Sequence, residues 1–262
     1  MSKQPKLVAW RDGQTWLVKG FNIFKKQPLI WIFSLFTYWV AMFLFGLIPL
    51  LGLIVSLILS PGIAFGFIAL ARAIDEDRTL FPKLIISGFT GPHLKPMLLL
   101  GVLYIFAVLI VLFISVTADG GSLLTFIIPG ELSNQLNADD SKKSSYGAIV
   151  AVITYIPVMM SFWFAPQLVA WHKFSASKAI FYSFFAVWLN RKSFLFYGIT
   201  WFSIILTSVL IMGILSNIFT GVKQLIAFGI LPLSLIFMAI AHGSYYASTK
   251  SVFMNINENK KN

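Results

Sequence analysis

The chain has 262 residues, of which 58% are hydrophobic and only 11% are charged, and its mean hydropathy is +0.84. Globular domains average about 25% charged residues, so this composition excludes a soluble domain and an intrinsically disordered chain. Cysteine is absent, which excludes disulfides, thiolate metal sites, iron–sulfur clusters and cysteine nucleophiles.

Long stretches without charge predict the membrane spans. They are residues 27–71, 96–118, 144–172, 193–222 and 224–249. A spanning helix needs about 20 apolar residues, so the first stretch holds two helices, separated by the Pro and Gly residues of 46–52, and each other stretch holds one. Continuous rather than alternating hydrophobicity favours helices over barrel strands. We therefore predict one all-α integral membrane domain over 1–262, with six spans near 29–46, 50–72, 97–117, 147–171, 194–217 and 225–249.

Three segments that are too polar to cross the membrane have apolar residues at helical spacing. They are 6–26, 79–90 and 175–192, and in the first the apolar stripe consists of Leu7, Trp10, Leu17, Phe21 and Phe24. This pattern is typical of helices that lie in the membrane interface. We therefore expect about three amphipathic interfacial helices, one before each odd-numbered span.

The first two of these segments also match each other at an offset of 68 residues. Gly20-Phe21 corresponds to Gly88-Phe89, and Pro28 corresponds to Pro96. The matches fit a threefold repeat of hairpins, each with its interfacial helix, and they equally fit the general similarity of hairpins that follow interfacial segments. A repeat would favour a transporter, because internal repeats are common in that class.

The distribution of Lys and Arg predicts the orientation. With six spans, segments 1–26, 72–96, 172–192 and 250–262 share one side and hold 17 of the 20 basic residues. The positive-inside rule then places both termini on the cytoplasmic side of the membrane. We assign the positive charge to contact with anionic lipid headgroups rather than to nucleic acid, because no nucleic-acid-binding motif accompanies it.

Aromatic and basic residues near the predicted cytoplasmic interface are candidate lipid anchors. They are Trp10, Trp16, Lys25, Lys26, Trp171, Trp188, Arg191 and Lys192. A second set consists of polar residues in or near the spans, where polar groups serve as ligand contacts or interhelical hydrogen bonds. These are His242, His172, Gln167, Asn217 and Tyr245.

The sequence offers no catalytic, cofactor-binding or metal-binding residues. His-Glu-x-x-His, P-loop and Gly-x-Ser-x-Gly motifs are absent from it, and the interior of the predicted spans contains no Asp, Glu, Lys or Arg. The few carboxylates fall on opposite sides of the membrane in this topology, so Asp75 and Asp139, for example, cannot act as an acid–base pair. We therefore expect no enzyme activity and no cofactor.

The order of aromatic residues and helix breakers carries a family resemblance. The pattern consists of residues 16–31 (WLVKGFNIFKKQPLIW), Ile48–Gly52, Pro61, Ala71–Ile74, Phe164–Pro166 and Trp171–His172. It resembles an uncharacterised family of six-helix bacterial inner-membrane proteins of the "BPSS" locus-tag type, over nearly the whole chain. More distantly, it is similar to the membrane domain that precedes some glycerophosphodiester phosphodiesterases. The resemblance implies six helices in a bacterial inner membrane, and it implies no activity or functional residues.

Two functions fit these observations. The first is a non-catalytic membrane component that binds lipid or a membrane-protein partner, as an accessory subunit or scaffold. The alternative is a small uncoupled transporter or channel for a neutral or amphiphilic solute. A transporter needs a polar cavity near the middle of the membrane, whereas a scaffold packs solidly or opens sideways to lipid.

Overall fold

The computed structural model describes residues 4–48, 50–80, 82–119, 141–218 and 223–253. Within these ranges the chain forms nine α-helices and three short 3₁₀ turns. The helices are α1 (Asp12–Lys26), α2 (Pro28–Gly46), α3 (Leu51–Asp75), α4 (Leu94–Asp119), α5 (Ser141–Trp163), α6 (Ala165–His172), α7 (Ala176–Leu189), α8 (Arg191–Ile218) and α9 (Lys223–Phe253).

Six helical stretches of the described chain are long and apolar enough to cross a membrane. They are Pro28–Gly46, Leu51–Asp75, Gly91–Ala118, Tyr146–His172, Arg191–Ile218 and Phe228–Phe253. This confirms the predicted all-α class with six spans. The threefold repeat stays a prediction.

Helix α1 packs on α9 and on the first turns of α8 through a face that contains only Phe24 of the predicted apolar stripe. The buried face consists of Gly13, Trp16, Gly20, Ile23 and Phe24. A methyl group on Gly20 would overlap the Ile240 carbonyl of α9, and one on Gly13 would overlap the Ser193 carbonyl of α8. Because glycine lets two backbones approach closely, the small residues face the protein. Leu7, Trp10 and Phe21 of the predicted stripe are exposed on the other side.

Helix α7 divides its surface in the same way. Its buried face is made of small residues, with Ala176, Ala179, Ser183 and Ala186 at 2% exposure or less. Phe181, Phe185 and Trp188 point outward.

The prediction of a second interfacial helix at 79–90 is wrong. Residues 82–93 form three 3₁₀ turns, Pro82–Leu84, Ser87–Phe89 and Gly91–His93. Gly88 lies within the predicted helix and lowers its helix propensity, and it packs so closely on α3 that an added methyl group would overlap the Gly62 carbonyl.

The fourth span is interrupted between α5 and α6. The hydroxyl of Ser183, from α7, accepts a hydrogen bond from the Phe164 N–H (2.8 Å) and donates one to the Met160 carbonyl (2.7 Å). Those two backbone groups would bond directly in a continuous helix. Pro166 follows and has no N–H for the Phe162 carbonyl, and the hydroxyl of Tyr245 from α9 donates to the adjacent Trp163 carbonyl. Polar side chains from two neighbouring helices thus stabilise the break.

Ion pairs tie α1, α3 and α9 together at one end of the bundle. Lys26 bonds to Asp77 (3.0 Å) and Lys250 to Asp75 (2.6 Å), while the Tyr246 hydroxyl donates to Asp75 (3.2 Å). The N-terminal segment joins this end, since the Lys6 N–H donates to the Val252 carbonyl (2.9 Å). We call this part of the molecule, which also includes Arg72, Arg191 and Lys192, the basic end.

The spans are packed unevenly. Helix α3 contacts α2, α4 and α9, and α5 packs on α4 and α7. Helix α8 contacts mainly α1 at the basic end, and none of its most apolar 18-residue window is buried within the described chain. Above the basic end, α8 therefore stands apart from α5, and a gap opens between them.

Candidate functional site

The gap between α5, α7 and α8 forms a groove of about 600 Å³. Its walls are almost entirely apolar, and they include Ile156, Met159, Met160, Trp163, Leu195 and Gly198. Arg191 and Lys192 line the same groove at the start of α8. The groove thus joins an apolar trough to two cations at the basic end, which is the chemistry of a lipid with an anionic headgroup.

The junction between α7 and α8 sets the position of these cations. Asn190 is 1% exposed, and its side chain accepts from the Val8 N–H (2.9 Å) and donates to the carbonyls of Lys6 (3.0 Å) and Ala186 (2.9 Å). Asn190 therefore fixes the turn and fastens the N-terminal segment beneath it. Sequence reasoning missed this residue, although its position between an interfacial helix and a span was a visible signal.

The cations at the groove have no carboxylate partner among the described residues. The Arg191 guanidinium lies 5.6 Å from the ring centroid of Trp188 and bonds weakly to the Trp188 carbonyl (3.4 Å). Lys192 is exposed. An anion entering the groove would therefore meet two positive charges that no acidic side chain of the described chain neutralises.

A second cavity, of about 260 Å³, lies among α3, α4, α5, α6 and α9. It shares Met159 and Trp163 with the groove. Its polar groups are hydroxyls, and those of Tyr104 and Tyr155 lie 2.6 Å apart. Sequence reasoning missed this pair because the two residues belong to different spans. The periodicity within one helix does not show how close a residue lies to a residue of another helix.

The predicted lipid anchors fall into two groups. Trp10, Trp188, Arg191, Lys192 and Lys25 lie at the surface of the basic end, with the Lys25 ammonium 4.8 Å from the Phe21 ring. The other three anchor residues have protein partners. Trp16 is 1% exposed and donates to the Ser251 hydroxyl (2.8 Å), so it is a core residue and its assignment as a lipid anchor was wrong. Lys26 pairs with Asp77, and Trp171 lies beneath the Arg72 guanidinium at 5.1 Å.

The predicted polar candidates do not converge on one site. Gln167 (1% exposed) and Tyr245 lie beside the α5–α6 break, with Gln167 donating to Thr249 at 3.4 Å. His242 bonds to the Met238 carbonyl of its own helix at 2.8 Å. His172 contacts the rings of Phe174 and Phe253, and Asn217 bonds within α8. Within the described chain, no group of three or more His, Asp or Glu side chains is arranged to hold a metal ion.

Comparison with known proteins places the chain in a family. No family model matches it, and no solved structure matches it. A protein of Burkholderia thailandensis, named a probable inner membrane protein, is 34% identical over 251 residues, which are 94% of this chain and 92% of that protein. These comparisons do not show the similarity to glycerophosphodiester phosphodiesterase membrane domains. The chain belongs to the family of this inner-membrane protein and is itself an inner-membrane protein with several apolar helices.

Proposed function

We propose that the protein is a non-catalytic lipid-binding component of the inner membrane, and that it holds an anionic lipid in the groove between α5, α7 and α8. The acyl chain lies along the apolar wall that includes Met160 and Leu195, and the headgroup lies at Arg191 and Lys192. The observation that carries this proposal is the position of two cations, without acidic partners in the described part of the chain, at one end of an apolar groove of about 600 Å³.

Two physical terms support the proposed binding. A basic residue near an anionic headgroup contributes about 1 kcal/mol, so the pair favours an anionic over a zwitterionic lipid. The apolar wall is exposed beside α8, so a lipid can enter sideways from the bilayer without leaving hydrocarbon. The positive-inside rule predicts that the basic end faces the cytoplasm. A lipid held in this way would also serve as a contact for a membrane-protein partner.

One observation favours uncoupled transport as a second candidate function. The groove and the second cavity share Met159 and Trp163 as lining residues, so a solute that moves from one to the other would pass these two side chains. A solute that passes between the two would be neutral or amphiphilic, because no charged side chain of the described chain lines the second cavity.

The experiment that tests lipid binding removes the two cations. Protein from Arg191→Gln/Lys192→Gln and from wild type is incubated with equal amounts of phosphatidylglycerol and phosphatidylcholine, purified in gentle detergent and analysed by native mass spectrometry. We expect wild type to retain phosphatidylglycerol preferentially, and the variant to lose about 30-fold of that preference, because two charges are worth about 2 kcal/mol.

A matched control removes the same charge elsewhere at the basic end. Lys83 and Lys95 are exposed and lie outside the groove, so Lys83→Gln/Lys95→Gln should keep the wild-type preference. Equal loss in both double variants would assign the effect to net charge and would contradict a specific site.

A further inference from the structure

We infer that the cavity among α3, α4, α5, α6 and α9 is a second binding site, which takes an uncharged amphiphile through its hydroxyl or carbonyl group. The cavity has a volume of about 260 Å³. It is lined by aromatic, proline and methionine side chains, with hydroxyl groups among them. Ligand sites commonly combine an apolar wall with a few placed polar groups.

The number of hydroxyl protons shows how many hydrogen bonds the cavity can donate to a ligand. Tyr104 and Tyr155 carry one hydroxyl proton each, and one of the two protons is used in the 2.6 Å hydrogen bond between them. No other hydrogen bond to either hydroxyl occurs among the described residues. One phenolic proton is therefore left to donate, from a pair of half-buried tyrosines at the wall of the cavity.

The remaining hydroxyls of the cavity contribute acceptors. Ser60 donates its proton to the Leu57 carbonyl (2.9 Å), and Tyr245 donates to the Trp163 carbonyl beside the α5–α6 break. Because their protons are used, these two oxygens can only accept, and the Tyr245 oxygen already accepts one hydrogen bond from Gln167. A ligand hydroxyl can accept from the tyrosine pair and donate to these oxygens, and a ligand carbonyl can accept from the pair.

The charge of the lining selects against an anion. The ten residues around the cavity include no Lys, Arg or His, so a carboxylate or phosphate would lose its hydration without gaining a counter-charge. The cavity therefore differs in chemistry from the groove beyond Trp163, where Arg191 and Lys192 lie. The two sites take different classes of amphiphile, and this inference stands independently of lipid binding in the groove.

Photolabelling of the protein in liposomes tests the second site. The probes are hexadecanol and hexadecane that carry the same diazirine, and labelled peptides are identified by mass spectrometry. We expect the alcohol to label α4 and α5 around Tyr104 and Tyr155, and the hydrocarbon to label lipid-facing surfaces without this preference. Equal labelling of these peptides by both probes would overturn the inference.

Removal of the tyrosine hydroxyls keeps the rings and their packing. In Tyr104→Phe/Tyr155→Phe we expect labelling of these peptides by the alcohol to fall about fivefold or more. Tyr38→Phe is the matched control, because Tyr38 lies in a span, contacts Phe67 and lines neither cavity. Ala64→Phe provides a second variant, which fills the cavity and keeps both hydroxyls, and it should also reduce labelling. Unchanged labelling in both cavity variants would contradict the site.

Competition then separates the two sources of the polar group. An unlabelled long-chain alcohol that displaces the probe identifies a hydroxyl ligand, and displacement by a long-chain quinone identifies a carbonyl ligand. If neither competes, the site does not exist as inferred. Arg191→Gln/Lys192→Gln should leave this labelling unchanged, so failure of the groove and failure of the cavity are distinguishable.

Discussion

Two buried polar side chains, Ser183 and Asn190, fix the helices that surround the groove. Ser183 is 0% exposed and replaces a backbone hydrogen bond at the end of α5. Asn190 bonds three backbone groups where α7 meets α8. Neither side chain lines the groove, yet both hold the helices that form its wall. Buried polar groups with their hydrogen bonds satisfied specify one arrangement of helices.

Replacement of Ser183 by alanine should destabilise the protein. The change leaves the Phe164 N–H and the Met160 carbonyl without the hydroxyl that joins them, at a cost of about 1–3 kcal/mol. Thermal unfolding in detergent, followed by size-exclusion fluorescence, should show a lower melting temperature than wild type. Ser203→Ala is the control, since Ser203 is exposed and bonds only within α8. Equal melting temperatures for both variants would mean that the hydroxyl does not stabilise the break.

Helices α1 and α7 show which part of the packing the sequence predicts. Apolar periodicity predicts a helix at 6–26 and at 175–192, and the structure has a helix over 12–26 and over 176–189, while residues 6–11 are not helical. The large residues of the pattern are divided between the two sides, with Phe21 and Trp188 exposed and Phe24 and Val187 buried, whereas glycine, alanine and serine make the close contacts with the protein. Membrane helices have little hydrophobic drive to associate with each other and pack through small residues instead. The most apolar stripe was therefore a poor guide to the protein-facing side.

The spans were predictable because a segment that crosses the lipid must be a helix of about 20 apolar residues. Such a segment is visible in the sequence. The candidate site was only partly predictable. Trp188, Arg191 and Lys192 were named as anchors from their place beside a span, and they line the groove. Tyr104 and Tyr155 were not linked, because they are 51 positions apart in the sequence, although their hydroxyls lie 2.6 Å apart. Such contacts depend on how far apart helices stand, which the pattern within each helix does not contain.

At the scale of the whole molecule, the basic residues and the contacts between distant segments are concentrated at the same end of the helix bundle. The ion pairs of Lys26 and Lys250, the junction at Asn190 and the N-terminal segment all meet at the basic end. The segments predicted to lie on one side of the membrane are thus in mutual contact. The positive-inside rule assigns that side to the cytoplasm, as an interpretation of charge alone.

Single-cysteine labelling tests this orientation directly, because the chain has no cysteine of its own. Ser141→Cys, at the first residue of α5, should react with an impermeant maleimide in cells whose outer membrane alone is permeabilised. Lys83→Cys, at the basic end, should react only after the inner membrane is opened. The opposite pattern of labelling would reverse the orientation.

The measurement that tests the central claim most directly is photolabelling with a diazirine-bearing fatty acid. Gly198 lines the groove, and a Cβ atom added there meets no atom within 4 Å, so Gly198→Trp places a large side chain in the groove without displacing the backbone around it. Gly213 on the same helix is equally open but lies outside the groove, which makes Gly213→Trp the control. We predict that the probe labels α5 near Met160 and α8 near Leu195 in wild type and in Gly213→Trp, and that Gly198→Trp abolishes this labelling. Labelling that persists in Gly198→Trp, or that falls equally in both variants, would contradict a lipid held in the groove.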